Sequence, residues 1–221
     1  MIWNLSSLFS DPVALLTELA YVLPVMLISL TLHEWGHAYA AYRCGDPTAR
    51  NLGRMTLNPI AHIDPIGFLS LLLLGFGWAK PVPVNSRNFK NYKVGEAVVS
   101  LAGVTMNFLL VLLSSVILIF VYRYSPAGRS NTALNSILLY MLSLNVTLMV
   151  FNLIPIYPLD GYHIFELLFA RVLPTKVFVF LHRYGNWLLI ALLVLFRNTG
   201  FSPIGIVQGW VISIINFFIM L

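Results

Sequence analysis

Charge is scarce in this chain. Asp, Glu, Lys and Arg make up 10% of its 221 residues, against about 25% in a typical soluble domain. So few charges cannot coat a water-facing surface, and the deficit points to an integral membrane protein of several spans. Cysteine is scarcer still. Cys44 stands alone, which excludes an internal disulfide framework and a zinc site built from cysteines. A concentrated basic patch is also missing. The net charge of +5 comes from short basic clusters between apolar runs, which excludes a nucleic-acid footprint and fits the positive-inside pattern. No long polar insertion leaves room for a soluble accessory domain. A cleavable signal is not expected either, since the first apolar run begins near Val13, lacks a basic flank and carries Glu18.

What is present is hydrophobic: 59% of the residues. The runs extend over about Pro12–Tyr42, Ile66–Gly77, Val94–Tyr122, Thr132–Pro155, Phe178–Phe196 and Pro203–Leu221. Five are long enough to cross a bilayer. The second, about twelve residues, rises only ~18 Å as a helix and falls short of a ~30 Å hydrocarbon core, so it reads as re-entrant or interfacial. The Pro- and Val-bearing "WAKPVPVNSRNFKNYKVGE" that follows suggests a small β-hairpin-like element at the membrane surface. The expected fold class is an all-α polytopic membrane protein of about five to six transmembrane helices. It forms a single domain, 1–221, with a core of about 14–170 and C-terminal helices over about 178–221. With the short run re-entrant, Arg43, Arg50, Arg54, Lys80, Arg87, Lys90 and Lys93 fall on one side, expected to be cytoplasmic, and the N-terminus faces outward.

The first run carries the chemistry. In "LTLHEWGHAYAAY", His33 and His37 are four apart and stack on one helix face. Glu34 borders that face. This is the H-E-x-x-H arrangement, two metal ligands beside a carboxylate able to take a proton from a zinc-activated water. The bland alternative is a pair of hydrogen-bonded core histidines. The setting weighs against it, because an ionisable group at membrane depth costs at least a few kcal/mol and three occur in five residues. A divalent cation would compensate them.

A catalytic zinc site takes three protein ligands and leaves one position open. Candidates for the third are His62, Asp64, Asp160, His163 and Glu166. His62 and Asp64 lie among prolines in "NPIAHIDP" and read as turn or cap residues. Asp160 follows Pro155 and Pro158 and precedes Gly161, an irregular stretch of the kind tolerated at membrane depth beside a polar cavity. That favours Asp160, although a helix N-cap is its competing role. His163 and Glu166 follow by three and six residues and read as partners orienting a ligand or as a polar helix end.

Together, "HEWGH", "AGVTMNF" and "NLIPIYPLDG" resemble the site-2 protease family of intramembrane zinc metalloproteases, in the same order and over about residues 20–170. The layout is similar to small prokaryotic-type members without PDZ or CBS domains. The resemblance implies one Zn²⁺ on His33, His37 and Asp160, with Glu34 as general base. It also implies that Asn152, in the N-x-x-P before the L-D-G, sits near the centre to hydrogen-bond the oxyanion or the substrate. Gly103 and Asn107 match the family's G-x-x-x-N, for close helix packing and helix bridging. Val104 stands where the family often has proline. The implied function is hydrolysis of transmembrane segments of membrane-protein substrates within the lipid bilayer, in a prokaryotic plasma membrane, with the active site toward the cytoplasm. No nucleic acid is involved, and the sequence is silent on oligomeric state. The rival reading is a divalent metal-ion transporter using the same His, Asp and Glu cluster.

Overall fold

The computed structural model describes residues 11–74, 77–199 and 202–220, apart from the side chains of 72–74 and 197–198. The long helices are α1 (Pro12–Cys44), α4 (Tyr92–Tyr124), α6 (Thr132–Asn152), α8 (Thr175–Thr199) and α9 (Pro203–Met220). Between them lie the shorter α2 (Thr48–Asn51), α3 (Pro65–Leu74), α5 (Pro126–Ser130) and α7 (Asp160–Phe169). Five helices are long and apolar enough to cross a membrane: α1, α4, α6, α8 over Thr175–Phe196, and α9. The all-α polytopic reading therefore holds at that level, with five spans.

Local chemistry sets the helix ends. Asp11 caps α1, its Oδ1 accepting from Ala14 N at 2.9 Å. Asn91 and Asn131 do the same for α4 and α6. α1 stops at Gly45, whose φ of 113° is open to glycine and strained for other residues. The N–H groups of Gly45 and Asp46 then return to Tyr42 O and Ala41 O, satisfying carbonyls at the end of the helix.

Helices α1, α4 and α6 pack together, with α7 against α4 and α9 against α4 and α6. A core of Val111, Leu118, Leu138, Leu142, Val146 and Ile215 joins α4, α6 and α9. In lipid, such contacts gain from close packing more than from leaving water. At Gly36 on α1 an added Cβ would lie 3.1 Å from the Ala102 carbonyl oxygen of α4, so the two backbones meet there. Outward-facing Phe120 and Trp210 are well exposed, as lipid-facing side chains should be.

The surface hairpin is the correction. Among the described residues there is no strand, only an isolated antiparallel bridge between Ile63 and Ala79. The physical reason lies in the segment itself: Pro81 and Pro83 have no N–H to donate to a ladder, and the N–H of Val82 between them is spent on a side chain, Glu34 Oε2, at 2.8 Å. The short apolar run forms the ten-residue α3, too short to span. Its end, residues 75–76, lies outside the described residues.

Candidate metal centre

Helical spacing places His33 and His37 one turn apart on the inner face of α1, both buried. Their Nε2 atoms lie 3.1 Å apart. Asp160, the first residue of α7, brings Oδ2 to 3.6 Å from His33 Nε2 and 3.3 Å from His37 Nε2. These three form a group able to hold a metal ion. Donors ~2.0–2.2 Å from a common tetrahedral ion sit roughly 3.3–3.6 Å from one another; the two Asp160–histidine separations fall in that range, and the His33–His37 pair at 3.1 Å needs only a small outward shift. Asp160 Oδ2 is buried and has no hydrogen-bond donor. A buried carboxylate oxygen left bare is costly, and a cation among the three donors removes that cost.

Each imidazole is held from behind. His37 Nδ1–H donates to the Val99 carbonyl at 2.8 Å. His33 Nδ1 faces Asn107 Oδ1 at 2.7 Å. Both holders lie on α4, and Gly103 of α4 sits under the two rings. A Cβ there would approach His33 Cε1 to 2.5 Å and collide with His37 Nε2. The glycine of G-x-x-x-N thus makes room for the histidines. Glu34 is also buried, with Val82 N–H on its Oε2.

Other residues singled out from the sequence lie elsewhere. Asn152 is half-buried at the end of α6, and its Nδ2 donates to Leu148 O of the same helix at 3.0 Å. His62 Nε2 pairs with Thr56 O at 2.9 Å. Asp64 Oδ1 accepts from Gly67 N in the first turn of α3. His163 Nδ1 lies 3.2 Å from Glu96 Oε1 of α4. The hydrogen bond to Glu96 holds the His163 imidazole above its ordinary pKa, against the opposing effect of burial. Three features were missed by sequence reasoning: the Val82 amide on Glu34, a buried Asn145–Ser29 pair behind Asn107, and the buried Asp46. A polar amide in the middle of an apolar run was the one available signal for Asn145.

The chain matches the model of peptidase family M50 over residues 21–196. It is 38% identical over 197 residues to "Putative zinc metalloprotease YwhC" of Bacillus subtilis, covering 88% of this chain and 86% of that protein. It is 34% identical over 147 residues to "Putative zinc metalloprotease Rip2" of Mycolicibacterium smegmatis, covering 63% and 54%. It is 33% identical over 165 residues to the Rip2 of Mycobacterium tuberculosis strain Erdman, covering 71% and 60%. The chain thus spans little more than half of the mycobacterial relatives. No solved structure matches it significantly. A buried His–Glu–x–x–His helix, a converging aspartate and a family match across most of the length agree: this chain belongs to peptidase family M50.

Proposed function

We propose that this protein is an intramembrane zinc metalloprotease that hydrolyses peptide bonds in transmembrane segments of membrane-protein substrates. The observation that carries the reading is the convergence of His33, His37 and Asp160 beside the buried Glu34. His33, His37 and Asp160 would hold one zinc ion. When bound, it supplies Lewis acidity, which lowers the pKa of a water toward ~7 and polarises a carbonyl.

The chain's own groups do the rest. Val82 N–H holds Glu34 Oε2 and leaves Oε1 to accept a proton from the attacking water. Glu34 then returns that proton to the leaving amine. The Val99 and Asn107 contacts keep both imidazoles aimed inward. Asn152, at the unwound end of α6, donates from its amide to the oxyanion of the substrate carbonyl or to the substrate strand. A substrate helix unwinds locally to reach this site, since its backbone is otherwise paired. The irregular 79–85 segment offers a surface for it, and the short α3 enters the bilayer without crossing it. The domain is single, in the plasma membrane of a prokaryote, and its site faces the cytoplasm.

The test is Glu34→Gln in liposomes with a transmembrane peptide substrate. Zinc content should stay at that of the wild type while cleavage falls by about 10²–10⁴-fold, the usual contribution of a general base. A variant that still cleaves sinks the mechanism. Zinc flux through the wild type without cleavage would instead indicate transport.

A further inference from the structure

Behind His33 a circuit of hydrogen bonds runs through three helices and ends on two backbone carbonyls. Asn107 Nδ2 of α4 donates to Asn145 Oδ1 of α6 at 2.8 Å. Asn145 Nδ2 donates to Met141 O at 2.7 Å and to Ser29 Oγ of α1 at 2.9 Å. Ser29 Oγ–H in turn donates to Val25 O at 2.8 Å. Asn107, Asn145 and Ser29 are fully buried, so no water replaces a lost partner.

The direction of the circuit is not free. A backbone carbonyl can only accept. Met141 O therefore requires the amide nitrogen of Asn145 on its side. Val25 O takes the single hydroxyl proton of Ser29, so Ser29 also presents a lone pair to that nitrogen. Both anchors turn Asn145 Oδ1 toward Asn107. Asn107 must then point Nδ2 at Asn145 and Oδ1 at His33. An Oδ1 facing His33 Nδ1 at 2.7 Å demands a proton on Nδ1, which leaves the Nε2 lone pair for the ion.

We propose that Asn145, which touches neither metal nor substrate, is a positioning residue that fixes the ligating tautomer of His33 through Asn107. The proposal rests on the reading of His33 as a zinc ligand. Without Asn145, Asn107 can rotate by half a turn, present Nδ2 to His33 and favour the tautomer whose Nε2 carries the proton.

The experiment measures zinc affinity of the full-length protein in detergent by competition with a chromogenic chelator, for wild type, His33→Ala, Asn145→Leu and Asn145→Asp. Asn145→Leu removes both donor and acceptor and should weaken zinc about 10- to 100-fold, the usual effect of losing such a partner. A buried aspartic acid stays neutral, keeps an acceptor toward Asn107 and one donor toward the anchors, and should bind within a few fold of wild type. Equal affinity in Asn145→Leu and wild type overturns the proposal. So does equal weakening in the Leu and Asp variants, because keeping the acceptor toward Asn107 would then make no difference. If Asn145→Leu does not fold, nitrogen-15 NMR of histidines in the zinc-loaded wild type decides: a proton on Nδ1 of His33 supports the proposal, and zinc on that nitrogen overturns it. His33→Ala binding as tightly as wild type would remove the underlying ligand reading instead, a distinguishable failure.

Discussion

Gly103 shows how narrow the tolerances are at the level of single residues. Its missing side chain is the space the two imidazoles occupy. Overpacking of this kind costs about 1–3 kcal/mol, and each 1.4 kcal/mol is a factor of ten. Gly103→Ala should therefore weaken zinc by about tenfold or more in a chelator competition while the protein still folds. Unchanged affinity would show that the rings can move aside. Asp46 is a residue of a different kind, fully buried beyond the end of α1. Burial by itself would raise its pKa, but donors from Thr48, Asn85 and Asn88 overcome this and hold it below its ordinary 3.8. A depressed folded pKa means stabilisation that is complete above about 3.8 and lost as pH falls through the lower folded value. Asp46→Asn cannot offer acceptors on both sides. It should cost about 1–3 kcal/mol at pH 7, and thermal melts should show the gap to wild type closing as pH falls below 3.8. A gap that does not change with pH would refute the assignment.

Among the elements, the α1–α4 contact matters most, since α1 carries the histidines and α4 the groups behind them. Gly36 sets the spacing. A side chain there would press on Ala102 O at 3.1 Å and Met106 Cγ at 2.7 Å. Met106 is flexible, but the backbone oxygen is not. Gly36→Val should destabilise by about 1–3 kcal/mol, read as earlier thermal unfolding in detergent, and should loosen zinc as well because Val99 and Asn107 retreat with α4. A variant that melts like wild type would mean the helices are not in register as described. α7 is a short element whose first turn faces the histidines. It presents Asp160 at its first residue, and the His163–Glu96 pair one turn later links it to α4.

For the whole molecule, the arrangement of charges becomes a topology. Residues 43–93 and 171–183, the two loops with their adjoining helix ends, carry ten of the thirteen basic side chains, while the turn between α4 and α6 and the helix end before it hold Arg129 and Arg123. With five spans, these loops fall on opposite faces. In a Cys44→Ser background, Ser86→Cys should react with a membrane-impermeant thiol reagent only in inside-out vesicles, and Ser130→Cys only in right-side-out ones. The reverse pattern would invert the orientation.

The sequence by itself determined the membrane class, the spans and the pairing of His33 and His37 on one face of α1, because hydropathy and a four-residue helical spacing are local properties that need no partner to be read. It also pointed to Asp160, through irregular backbone and motif order. Only the tertiary structure decided what stands behind and beside those residues. Val82 reaches Glu34 across 48 positions, and Asn145 reaches Asn107 across 38 and Ser29 across 116. Such contacts depend on helix rotation and on how closely glycines let backbones approach, and no local pattern encodes either. The hairpin expectation failed for the same reason: β propensity is a local preference, and a partner from α1 took the Val82 amide that lies between two prolines.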